Sequence, residues 1–184
     1  MLKIGFFGTP ELSASVLRRL LENENFSVEF AVTNPDKKFG RAQTLIASPV
    51  KQLAESYKIP VFQPEKIRNN TEFLEKIVEY QCDYFVVVAY GKILPKELLE
   101  IPKKMCINVH GSILPKYRGA SPIQSALLNG EKETGVTIMQ MSEGMDEGAM
   151  ICVAKITISP NETSVSLFEK FAEVSPNALI DGIL

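Results

Sequence analysis

Residues 3–21, KIGFFGTPELSASVLRRLL, decide the class of fold. Lys3 to Phe7 is a compact apolar run that stops at Gly8, and Leu12, Val16, Leu17, Leu20 and Leu21 then recur at the spacing of one helix face. A 3.6-residue turn brings positions three and four apart to the same side, so the stretch reads as strand, tight turn, helix. A doubly wound α/β domain begins this way. Val28 to Thr33 reads as the second strand, and Asn34 to Ala47 as a long irregular loop. Ser48 and Pro49 then supply an N-cap and an N1 proline for a helix through Tyr57. Val61 and Phe62 make a short third strand, and Thr71 caps a helix to about Tyr80. Tyr84 to Ala89, YFVVVA, is a continuous β-branched and aromatic run, as in a strand buried on both faces at a sheet centre. Cys106 to His110 is the next strand, Gly111 to Gly119 a loop and Pro122 to Leu128 a helix. The alternation predicts a mostly parallel, Rossmann-like sheet with right-handed crossovers.

From Thr134 the character changes. Thr134 to Met141 and Met150 to Ile158 look like two β segments joined by the Gly-rich turn SEGMDEG, which predicts an antiparallel hairpin added near the C-terminal end. Ser164 to Leu184 begins as an amphipathic helix, with Pro176 expected to open a new helical segment. That pattern reaches the last residue without a stop signal, so residues 1–184 are expected to be one domain that continues further.

Bulk properties narrow the function. With 184 residues, 45% hydrophobic and 23% charged, the chain has the apolar mass for a real core. Twenty Lys and Arg against 22 Asp and Glu give a net charge of −2, so any nucleic-acid contact has to be local. Cys82, Cys106 and Cys152 are far apart and flanked by apolar residues, which favours buried free thiols and a reducing cytoplasm over disulfides or a metal site. The N-terminal apolar stretch is too short for a secretion signal, and no run approaches membrane-spanning length.

His110 is the one histidine in the chain and stands at the carboxyl end of a predicted strand, the edge at which ligands bind in open α/β sheets. Asn108 lies two residues earlier, and the strand period of two puts both side chains on one face. An amide donor beside an imidazole suits acyl transfer, because the first can stabilise an oxyanion and the second can move protons. Asp146 sits in the hairpin turn, where Gly144 and Gly148 are expected to let the backbone bend, and a carboxylate beside the ring would orient it. On chemistry alone a capping or turn role for these three is as open as a catalytic one. GSILPKYRGASPIQ after His110 joins a polar loop to a small apolar dip at Ile113 and Leu114, and favours a binding loop over a plain connection. AYGKILP, residues 89–95, fits a second binding wall and a simple turn equally well. FFGTPE lacks the glycines of a dinucleotide fingerprint and the Lys-Ser/Thr pair of a P-loop. Lys37, Lys38 and Arg41, with Lys51 beyond and Asp36 as the nearby acid, make residues 34–51 locally basic; unaided, solvated charge is the commoner meaning of such a patch.

Taken together, FFGTPE, NPDKKFGRAQTLIASPVK, AYGKILP, INVHGSILPKYRGASPIQ and ETGVTIMQMSEGMDEGAMI resemble, in order and spacing over essentially the whole chain, the folate-dependent formyltransferase family. FFGTPE, the basic loop and GVTIMQM look like its tRNA-directed branch. The resemblance implies 10-formyltetrahydrofolate as donor, the α-amino group of initiator methionyl-tRNA as acceptor, and no metal. It matches Asn108, His110 and Asp146 to the catalytic trio, Ser112, Ile113, Leu114 and Pro115 to the folate-contacting loop, and Lys37, Lys38 and Arg41 to an approach for the tRNA acceptor end. It further implies a cytoplasmic monomer and a C-terminal β-barrel beyond these residues. The alternatives are a folate-dependent enzyme acting on a small amine or water, and a silent folate- or RNA-binding module.

Overall fold

The computed structural model describes residues 1–39 and 43–184, with only the backbone of Phe39. The chain forms two compact units, Met1–Cys106 and Ile107–Leu184.

In the first unit four strands run parallel: β1 (Leu2–Gly8), β2 (Phe26–Val32), the short Val61–Phe62 strand and the Tyr84–Val88 strand. β1 pairs with β2 on one side and with Tyr84–Val88 on the other, and Val61–Phe62 pairs with β2. A strand flanked on both sides and covered on both faces needs apolar residues at successive positions; accordingly Ile4, Phe6 and Phe7 are fully buried. All five residues of YFVVV are buried as well. α1 (Glu11–Leu21) buries Val16, Leu17 and Leu20 and packs on β2.

The connection expected to be irregular contains a two-stranded hairpin, β3 (Lys37–Phe39) and β4 (Thr44–Ile46), paired antiparallel. Its β4 residues are all exposed, so no alternation of burial marks it in the sequence. α2 (Pro49–Ser56) starts as expected, with the Ser48 hydroxyl accepting from the Lys51 amide at 3.1 Å. After β5 (Val61–Phe62), α3 (Thr71–Val78) is capped one residue earlier than expected: Asn70 accepts from the Phe73 amide at 3.2 Å and Thr71 is the first helical residue. After β6 (Tyr84–Val88), a single-turn helix, α4 (Lys96–Leu99), follows AYGKILP.

The second unit begins within β7 (Met105–His110) and contains α5 (Pro122–Leu128), β8 (Glu133–Gln140), β9 (Met150–Thr157) and α6 (Ser164–Ile183). β8 lies between β7 and β9 and is antiparallel to both, with His110 opposite Thr137 and Asn108 opposite Met139. The added hairpin is therefore present. α6 packs on β8, β9 and α5. Its start is a reciprocal cap in which Thr163 and Ser166 each accept from the other's backbone amide at 3.1 Å. Pro176 does not open a new segment; it lies inside one continuous helix. The missing Pro N–H removes one ladder bond, but Leu167, Phe171, Ser175, Ala178 and Leu179 form a buried stripe through it, and that packing holds the helix together.

The first unit's core is aromatic. Phe7, Phe30 and Phe85 meet pairwise at 5.2–6.1 Å between ring centroids, and Tyr80 and Phe62 extend the cluster. Gly5 makes room for it, since a Cβ there would lie 2.5 Å from Phe30 Cζ and 2.7 Å from Phe85 Cδ1. Gly5→Ala should therefore destabilise the fold by about 1–3 kcal/mol through overpacking. Urea unfolding reads this directly, and an unchanged midpoint would mean that the rings can give way.

Candidate active site

Asn108 and His110 project from the same face of β7, as strand geometry requires. The imidazole of His110 is 5% exposed. Its Nε2 lies 2.9 Å from the Tyr117 carbonyl oxygen. A carbonyl can only accept, so Nε2 carries a proton and donates it. Nδ1 faces Asp146 Oδ2 at 3.6 Å.

Asp146 joins the parts of the site. Oδ1 accepts from Asn108 Nδ2 at 3.2 Å, and Oδ2 accepts from the Gly119 amide at 2.8 Å. The side chain is only 15% exposed, and a shielded carboxylate needs such donors. The turn that presents it is built differently from the sequence expectation. The left-handed residue is Asp146 itself, at φ +50°, not Gly144 or Gly148. Aspartate tolerates that conformation better than most residues. Gly148 matters for a different reason, because a Cβ there would collide with the Gln140 carbonyl oxygen across the turn.

The loop after His110 is folded onto β8. Thr137 Oγ1 donates to the Ser112 carbonyl at 2.6 Å and accepts from the Leu114 amide at 3.2 Å, while Ser112 Oγ donates to the Lys116 carbonyl at 2.6 Å. Ser112 and Leu114 are buried, so their side chains support the loop; Ile113 is half-buried and Pro115 exposed, leaving those two open to a ligand. The peptide between Leu114 and Pro115 is cis. Tyr117, Gly119 and Ser121 have φ of +56°, +86° and +63°. For the two non-glycines such geometry costs on the order of 1–3 kcal/mol each. It turns the Tyr117 carbonyl to His110 and the Gly119 amide to Asp146. Neither contact was read from the sequence, since each uses a backbone group whose direction depends on dihedrals a tyrosine does not advertise. A cavity of about 240 Å³ lies beside this loop, lined by Ile113, Lys116, Tyr117, Glu131, Glu133 and Thr134, and none of the trio lines it.

The other candidates lie in the first unit. Lys37 and Lys38 are exposed neighbours on β3, and successive strand residues point to opposite faces. Arg41 lies outside the described residues. Lys51 does not add to the basic patch, because it pairs with Asp36 at 2.7 Å. The Lys51 ammonium, then the Gln63 amide, hold the Asp36 carboxyl below its usual range. In AYGKILP, Lys92 donates to the carbonyls of Pro64 and Glu65 at 2.7 and 2.9 Å. Burial pushes its ammonium pKa down. The cysteines are free. Burial pushes the thiols of Cys82 and Cys106 up to about 12, while Cys152 is half-buried. Among the described residues no cluster of three or more His, Cys, Asp or Glu could hold a metal ion, and no helix is long and apolar enough to cross a membrane.

Comparison with known proteins follows the same lines. The family model for formyl transferases matches residues 2–183. The chain is 49% identical over 184 residues to a methionyl-tRNA formyltransferase of Trichodesmium erythraeum, covering 100% of this chain and 55% of that protein. It is 45% identical over 180 residues to that of Caldicellulosiruptor saccharolyticus, covering 98% and 58%. It thus spans little more than half the length of these relatives. Among solved structures, a phosphoribosylglycinamide formyltransferase from Bacillus halodurans superposes with a TM-score of 0.79 at 22% identity, over 97% of this chain and 94% of the other. A formyltetrahydrofolate deformylase from Pseudomonas syringae gives 0.79 at 21%, over 99% and 60%. Those likenesses show a shared Rossmann-like fold. With a family match from end to end and close relatives across the same residues, this chain belongs to the formyl transferase family.

Proposed function

We propose that this chain transfers a formyl group from 10-formyltetrahydrofolate to the α-amino group of initiator methionyl-tRNA, the step that prepares the initiator for translation. The observation that carries this reading is the Asp146 carboxylate, which binds the Asn108 amide at 3.2 Å and faces His110 Nδ1 at 3.6 Å. The choice of acceptor is supported by 45–49% identity to proteins named methionyl-tRNA formyltransferases.

In this reading the amine nitrogen bonds to the formyl carbon, and proximity supplies much of the acceleration. Asn108 has a second amide N–H besides the one given to Asp146, and that N–H would stabilise the oxyanion of the tetrahedral intermediate. His110 Nε2 is engaged by Tyr117, so Nδ1 is the nitrogen that takes the amine proton. The imidazolium formed there lies against Asp146. Nδ1 then returns the proton to the departing folate nitrogen as its bond to the formyl carbon breaks, the electron pair leaving on that nitrogen. Ile113 and Pro115 would contact the folate, and Lys37, Lys38 and Arg41 the tRNA phosphates.

His110→Ala and Asp146→Asn should each lower kcat by about 100-fold or more. Removing the ring also leaves the Tyr117 carbonyl without its donor, at a cost of roughly 1–3 kcal/mol, so rates are compared well below Tm. Near-normal turnover in either variant would remove these residues from the chemistry. Replacing Lys37, Lys38 and Arg41 together with Ala should weaken use of charged initiator tRNA and flatten its salt dependence, by roughly 0.7–0.9 in log–log slope per lost phosphate contact. Binding of 10-formyltetrahydrofolate should be spared. An unchanged slope, or formylation of small amines in preference to the charged tRNA, would refute the acceptor assignment.

A further inference from the structure

Glu131 lies outside the trio and was not among the candidates, yet the loop that meets His110 is tied to it. α5 ends in a left-handed turn in which the Gly130 amide donates to the Leu127 carbonyl at 3.0 Å and the Glu131 amide to the Ala126 carbonyl at 3.1 Å, with Gly130 at φ +64°. This is the Schellman arrangement, and it fixes the direction in which the residue after the glycine leaves the helix. The Glu131 side chain thereby reaches back to the loop. Its Oε1 accepts from the Tyr117 hydroxyl at 2.8 Å and from Lys116 Nζ at 2.9 Å. The Lys116 ammonium first, then the Tyr117 hydroxyl, hold the Glu131 carboxyl below its usual range, so it is ionised near neutral pH. Lys116 is 65% exposed, so its ion pair is worth little alone. The phenol contact is the firmer anchor, because it fixes a ring at both ends: hydroxyl on Glu131, backbone carbonyl on His110 Nε2.

We infer that Glu131 is a positioning residue of the site: by holding the Tyr117 side chain it keeps the left-handed Tyr117 carbonyl on His110 Nε2, which fixes the ring orientation and leaves Nδ1 as the proton-exchanging nitrogen toward Asp146. Its consequence for turnover rests on the formyl-transfer reading above; its consequence for the imidazole does not. A second pin, from Ser112 Oγ to the Lys116 carbonyl at 2.6 Å, holds the preceding residue. Loss of Glu131 should therefore loosen the Tyr117 carbonyl without unfolding the loop.

Because His110 is the one histidine in the chain, nitrogen NMR of the imidazole reads this site alone. The wild-type chain should show an Nε2-protonated ring with a solvent-protected Nε2–H. Glu131→Ala should lose that protection and populate both tautomers, and Tyr117→Phe should do the same to a smaller extent. Glu131→Gln, whose amide oxygen can still accept from the phenol, should restore much of the wild-type signal. Where formyl transfer is measured, kcat should fall about tenfold in Glu131→Ala with KM for the formyl donor little changed, and recover in Glu131→Gln. A wild-type imidazole signal in Glu131→Ala overturns the inference whatever the activity. An altered signal that Glu131→Gln fails to restore also overturns it, since the acceptor oxygen would then not be what matters. If the signal responds as expected but wild-type chain transfers no formyl group, the positioning role stands and the reading of the reaction fails.

Discussion

One half-buried carboxylate determines how the second unit is put together. Asp146 sits on a left-handed backbone in the β8–β9 turn, and its two oxygens are filled by a strand side chain, Asn108, and a loop amide, Gly119. A charge with so little exposure must be met by donors. Meeting it draws a strand, a loop and a turn to one point. The imidazole is thereby enclosed between a carboxylate facing Nδ1 and a carbonyl on Nε2. Such an environment distinguishes the ring's two nitrogens, which a general acid–base role requires.

Periodicity made the parallel strands and most helices legible in the sequence, because burial on one or both faces leaves a repeat that composition alone does not. IGFF and YFVVV are buried where their apolar runs imply, and Ser48 caps α2 as its position before Pro49 indicates. Elements without a buried face left no such trace. β4, whose three residues are all exposed, is one example; the single turn of α4, which buries Leu98 alone, is too short to show a repeat. Pro176 misled for the opposite reason: a local rule about proline gave way to a buried stripe extending on both sides of it.

The candidate site was legible to a similar depth. Strand alternation placed Asn108 and His110 on one face, and Asp146 does meet both. What escaped was backbone. The Tyr117 carbonyl and Gly119 amide are directed by positive φ values, and a residue's type says little about which way its peptide points. For the same reason Ser112 and Leu114, polar and apolar members of one expected binding loop, both turn inward as scaffold. The pairing of Lys51 with Asp36 was not legible either, since it joins residues on either side of the hairpin.

The bonds that assemble the site close segments of 38, 27 and 7 residues, all between Asn108 and Asp146. Closing such short segments costs little entropy and makes for fast local assembly. During synthesis, then, every group of the site has left the ribosome before any of α6, the 20-residue helix that packs on β8 and β9. The nascent chain passes through a stage in which the polar cluster is complete in composition while its supporting strands still lack their apolar cover. The last turns of α6 to emerge carry Leu179, Ile180 and Ile183, all of them buried.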